Sequence, residues 1–197
     1  MSDRLRFATA QQVFDAFPTA AADIEVQPAG EAPLDFARKL LAPGRRFEAI
    51  VYLAYLLPRR EAVWWGCQCV RAISGDKPDD ALLAAEAWVR DPDETTRRAA
   101  LDLGWSRDAR IATTWLALAA GQSGGSITPE GAYPVAPPPQ ATALDVKAAI
   151  ILVIAKSPPP GQPAWVSACV EAGIRFAEGG DAKVRAPAPA APKAGVA

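Results

Sequence analysis

Three cysteines, a set of clustered carboxylates and a complete lack of histidine bound the chemistry open to this chain. Cys67 and Cys69 stand two apart in the apolar stretch 61–74. Each helical residue turns about 100°, so the two thiols point about 200° apart and cannot share a metal without unwinding the backbone. Cys169 is the one further thiol, and without histidine neither a Ser-His-Asp nor a Cys-His nucleophile can be assembled. Histidine-ligated zinc or iron is excluded for the same reason. The cysteines read as small core residues, and their odd number offers no disulfide framework. Gly121-Gln122-Ser123-Gly124-Gly125 lacks the lysine and helix start of a phosphate-binding loop, so it reads as a flexible turn. No metal and no cofactor is expected.

The carboxylates Asp76, Asp79, Asp80, Asp91, Asp93 and Glu94 stand where helix N-termini favour negative charge, which makes them capping residues before they are acid-base groups. Arg71 and Asp102 differ because they lie among apolar neighbours, and they are expected as buried polar groups held in an ion pair or by snorkelling. The run Tyr133-Pro134-Val135-Ala136-Pro137-Pro138-Pro139 has the composition of a polyproline segment. It can either cover the helical core or dock on a partner, in which case Tyr133, Pro134, Pro137, Pro138 and Pro139 would make the contact.

Charge and composition narrow the class further. A net charge of -1 and a pI near 5.6 supply no electrostatic reason to expect nucleic acid, whose phosphates favour a clustered basic surface. The arginine pairs at 45 and 46, 59 and 60, and 97 and 98 have acids nearby and read as solvated helix surface. The N-terminal residues lack the long apolar run of a signal peptide, and the apolar run 148–155 is far shorter than the roughly 20 residues needed to cross a bilayer. No membrane insertion and a cytoplasmic location are expected.

The elements that must position these groups are all helical. Residues 61–74 are apolar nearly all round, with paired tryptophans, Gly66 as a point of close approach, and only Gln68 and Arg71 interrupting. This predicts a central buried helix. Residues 45–57 form a second apolar segment, and Pro58 between the two suggests a helical hairpin at the hydrophobic centre. Helices are also expected at 7–17, 34–41, 78–90, 92–103, from 106 or 108 to 119, 143–156 and 163–178. Asp91 is expected as an N-cap with Pro92 in the first position, and Thr142 with Asp145 as a cap. Residues 19–33 read as a connection. The sum is one all-α domain over 1–178, an orthogonal bundle of about eight or nine helices with a long Gly/Pro-rich loop at 121–141, followed by a disordered Ala/Pro-rich tail at 179–197.

Asp91-Pro92-Asp93-Glu94 with Arg97-Arg98-Ala99-Ala100-Leu101 and Leu103-Gly104 resembles one helix of a HEAT-type repeat, over a single unit. More broadly, Val63-Trp64-Trp65-Gly66-Cys67-Gln68-Cys69-Val70-Arg71, Ala87-Trp88-Val89 and the proline-rich lead into 143–156 resemble an uncharacterised family of small helical bacterial proteins found near type VI secretion genes. That resemblance implies an adaptor or chaperone role with a secretion component or effector as protein partner. It supplies no catalytic residues. The expected function is therefore a non-catalytic protein-interaction module. The alternatives are a carboxylate- and arginine-dependent enzyme or small-molecule binder, with a pocket near Arg71, Asp102 or the long loop, and a toxin-neutralising immunity protein.

Overall fold

The apolar stretch at 61–74 becomes helix α5 (Arg59–Ser74), and no residue from Glu61 through Ile73 is fully exposed. A helix without a wet face must be wrapped on every side, and α5 packs against helices from both halves of the chain. The computed structural model describes residues 5–75 and 77–187. Within them the order is α1 (Ala10–Ala16), α2 (Pro18–Asp23), α3 (Pro33–Lys39), α4 (Arg46–Leu56), α5, α6 (Asp80–Arg90), α7 (Glu94–Ser106), α8 (Ala112–Gly121), α9 (Ala141–Lys156) and α10 (Gln162–Ala177), with a 3-10 turn at Pro159–Gly161. The described residues contain no strand, and the fold is all-α. The tenth helix is α2, where a connection was expected. Pro18 opens it and Ile24, just beyond its end, is fully buried.

The expected hairpin of α4 and α5 is not a closely packed pair. Leu57 and Pro58 are extended, with ψ of 142° and 153°, which swings the chain away between the two helices. Helix α9 lies against both and joins them, while α10 closes α4 and α5 from the other direction. Trp65 is fully buried at this joint and donates its indole Nε1–H to the Cys169 carbonyl of α10 at 2.8 Å. A Cβ on Gly173 of α10 would lie 3.0 Å from the Trp65 ring, so the close approach needs glycine there. On α5 itself, Gly66 faces the Leu116 and Val146 side chains of α8 and α9. At the other end, Phe14, Phe36 and Tyr52 pack ring on ring and seat α1 and α3 on α4.

Several boundaries differ from expectation. The N-cap of α7 is Asp93, not Asp91: its carboxylate accepts the Thr96 amide at 2.7 Å, and the Thr96 hydroxyl bridges back to the Asp91 carbonyl. Gly104 lies inside α7 rather than ending it. Helix α8 starts at Ala112, because 107–111 form a turn closed by the Ile111 amide on the Asp108 carbonyl. Of the six tryptophans, Trp65 and Trp88 are buried, Trp64, Trp115 and Trp165 are half-buried, and Trp105 is 51% exposed.

Part of the segment expected as a disordered tail packs on the bundle. Ala182 and Val184 are buried, and Arg175 donates to the Lys183 carbonyl at 2.5 Å. Arg175 also pairs with Asp181 at 3.3 Å. Lys183 and Val184 lie beside Gln68 and Arg71, so this segment covers the polar gap in α5. The rest of the expected tail, 188–197, and Asp76 of the expected α6 start signal lie outside the described residues.

Candidate functional site

Residues 122–140, between α8 and α9, form the longest stretch without a helix and carry the most exposed aromatic group of the chain among the described residues. Arginines hold this loop by its main chain. Arg59, at the start of α5, donates to the Ser123 carbonyl at 2.7 Å and to the Pro139 carbonyl at 3.3 Å, tying the two ends together. Arg97 of α7 is only 4% exposed and donates to the carbonyls of Gly121 and Ser126 while paired with Glu94. Arg98 donates to the Thr128 carbonyl at 2.5 Å. Gly125, at φ +61°, sits against the Arg97 guanidinium, where a Cβ would come within 2.9 Å of Nη2. All three were expected as solvated surface; Arg59 is exposed, but Arg97 is buried and Arg98 half-buried. The planar guanidinium fork can serve two carbonyls at once, which lets one side chain fix a loop that has no ladder of its own.

Beyond the staples the loop closes on itself. The Ile127 amide bonds the Val135 carbonyl at 2.8 Å, the Val135 amide bonds Ser126 Oγ at 3.0 Å, and Thr128 Oγ1 donates to the Tyr133 carbonyl at 2.9 Å. The tip therefore presents Tyr133, 87% exposed, with Val135 and Pro134 exposed beside it. Pro138 and Pro139 are exposed and Pro137 half-buried, on the return to α9. Between the loop and the outer face of α7 runs a groove of about 580 Å³ lined by Glu94, Thr95, Arg98, Asp102, Pro129 and Glu130. Hydrogen bonds from Arg97 and Arg98 hold the Glu94 carboxyl down at about 2, so it stays charged. Trp105, exposed, lies one turn beyond Asp102 on the same helix face.

Asp102 itself is exposed, against its expected burial. Leu101 and Leu103 flank it in sequence, but the inward stripe of α7 runs through Arg97, Leu101 and Gly104, and Asp102 faces out. Arg71 does form the expected ion pair. Its fork is bidentate to Glu86 at 2.5 and 2.7 Å, and Glu86 is buried. The two candidates are not brought together: Arg71 lines a cavity at the far end of α5, and Asp102 the groove on α7.

Asp145, expected with Thr142 as a cap, is instead a buried polar group. The N-cap of α9 is Gln140, and Thr142 donates instead to the Ala119 carbonyl at 3.2 Å. The Asp145 carboxyl accepts Gln122 Nε2 at 3.0 Å, and burial pushes its pKa up to about 8. Thr142, Asp145 and Ala149 share the inward face of α9 at spacings of three and four. A carboxyl whose folded pKa is raised binds its proton more tightly folded than unfolded, so stability falls as pH rises from the ordinary carboxylate range towards 8. Urea unfolding from pH 5 to pH 8 should show a decline of roughly 1 kcal/mol per pH unit, and Asp145→Asn should flatten it. A wild-type curve with no such decline would show that the carboxyl is already ionised in the fold.

Cys67, Cys69 and Cys169 are all buried, and burial raises the Cys67 and Cys69 thiols above their ordinary range. The neighbouring Cys169 thiol of α10 adds to the rise at Cys69. Among the described residues, no group of three or more cysteine, aspartate or glutamate side chains is placed to hold a metal ion, and no helix is long and apolar enough to cross a membrane. No curated protein and no solved structure matches the chain. A family model does match it over residues 36–177, from the ring cluster in α3 through the last residue of α10, and the chain belongs to that family, the family of unknown function DUF6931.

Proposed function

We propose that the chain is a non-catalytic protein-interaction module that meets its partner through the 127–135 tip and the outer face of α7. The supporting observation is an aromatic side chain held out into solvent by a loop whose backbone is already fixed. Association is penalised by the ordering it demands, and a preordered loop has little left to order. Tyrosine and tryptophan are also the residues that most often carry an interface. Trp105 on α7 and Tyr133 at the loop tip supply both, and Asp102 and Glu130 line the groove between loop and helix.

The likeness to helical proteins encoded near type VI secretion genes suggests where the partner is to be sought. On that reading the protein is a cytoplasmic adaptor or chaperone for a secretion component or effector. The test is to co-purify the full chain with the products of neighbouring genes and to measure affinity for each partner recovered. Tyr133→Ala should weaken binding by about tenfold or more, the scale of an interface hot spot, without changing the unfolding midpoint. Failure to recover a specific protein, or a variant that binds as well as wild type, would sink the proposal.

A further inference from the structure

At the far end of α5 from the loop, four helix ends surround a cavity of about 260 Å³. Ser74 closes α5, Lys77, Pro78 and Asp79 lead into α6, Ile111 to Thr113 open α8, and Val153 and Lys156 come from the last turns of α9. Its charged lining is Arg71, Lys77, Lys156 and Asp79. The single carboxylate is already engaged: Asp79 accepts the Leu82 amide at 3.0 Å, Arg107 Nη2 at 2.5 Å and the Thr113 hydroxyl at 2.7 Å. Arg71 is balanced by Glu86. Lys77 and Lys156 make no ion pair among the described residues, so the described lining adds two lysines to the already paired Arg71 and Asp79.

We infer that this cavity binds a small phosphate-bearing molecule. The two lysines and the chamber carry the inference, and the surrounding chemistry selects the ligand class. A carboxylate is best recognised by a planar guanidinium fork, but the fork of Arg71 is taken by Glu86 through Nε and Nη2. Lysine ammonium groups act as point charges and suit a tetrahedral dianion approached from two sides. Val70, Leu82, Ile111 and Val153 form an apolar wall that keeps water from one side and strengthens the remaining charges. Ile111 gives α8 no side-chain cap, so the first amides of that helix add donors at the cavity edge. The volume lies below the usual range of about 300 to 1,000 Å³ for drug-sized ligands, which fits a phosphate with a short substituent. This site is separate from the loop and does not depend on the proposed protein partner.

Titration calorimetry of the full chain at low salt, with pyrophosphate, inorganic phosphate and citrate as probes, tests the assignment. Pyrophosphate should bind saturably at one site and more tightly than citrate, and added sodium chloride should weaken it. Combining Lys77→Gln with Lys156→Gln should reduce pyrophosphate affinity by about tenfold or more. Arg46→Gln, at a half-buried cation on α4 outside the cavity lining, should leave it unchanged. Both lysines are exposed at their tips, so the double variant should keep the wild-type unfolding midpoint. No saturation by about 10 mM pyrophosphate, or equal affinity in the double variant, would overturn the site, and citrate binding as tightly would overturn the phosphate assignment.

Discussion

Replacing Arg97 with methionine is expected to lower the unfolding free energy by about 3 kcal/mol and to open the 122–140 loop to proteolysis. Methionine keeps most of the packing of the side-chain stem but none of its donors. The Gly121 and Ser126 carbonyls then lose their guanidinium partner. Each buried carbonyl left unpaired costs about 1 to 3 kcal/mol. Part of that loss is avoided when the loop swings out into water, and the protease detects the swing. Glutamyl endopeptidase cleavage after Glu130, followed together with urea unfolding, separates the two effects. Lysine at 97 should rescue little, because a single ammonium cannot reproduce the fork. If the methionine variant unfolds with wild type and its loop resists cleavage, the guanidinium is not what holds the loop.

Trp65→Ala should be the most damaging change in the helical core, at about 4 kcal/mol. The indole is fully buried between α5 and α10, and its removal leaves both a void and an orphaned Cys169 carbonyl. Small domains carry only about 5 to 15 kcal/mol of total stability, so a large fraction would be lost. Trp64→Ala is the internal comparison. Trp64 is half-buried and lines an open groove with Val89 and Phe176, so its loss should cost about 1 kcal/mol. Thermal and urea unfolding of both variants measure the difference. Equal losses at 64 and 65 would mean that the paired tryptophans share one environment, contrary to the geometry described.

The helical character of this chain was legible because apolar residues recur at spacings of three and four through nearly every segment, and because proline and glycine mark most of the boundaries. Legibility failed where a polar residue sat on an inward stripe. Glu86 follows Leu82 by four and precedes Val89 by three, Arg97 precedes Leu101 by four, and Asp145 stands in the same relation to Ala149. Each is buried, yet reading the apolar positions alone passes over them, since the partners that compensate them come from elsewhere in the chain. Arg71 was found because its neighbours are apolar, whereas Asp102 misled for the same reason: adjacency in sequence is not adjacency on a helix face. The N-cap at Asp93 instead of Asp91 turned on one residue, Thr96, whose amide and hydroxyl both reach back to it. The loop offered no sequence signal for its order. Its restraints are arginines on α5 and α7, some of them more than sixty positions away.

Those arginines grip carbonyl oxygens at Gly121, Ser123, Ser126, Thr128 and Pro139, a feature that every amino acid supplies identically. The shape of the tip is thus largely decoupled from the identity of the side chains it displays. Outside Gly125, Gly131 at φ +84° and the Ser126 and Thr128 hydroxyls, substitutions along 129–138 can change what is displayed without dismantling the mount. Such an arrangement lets one scaffold acquire new binding preferences through changes in the displayed residues alone.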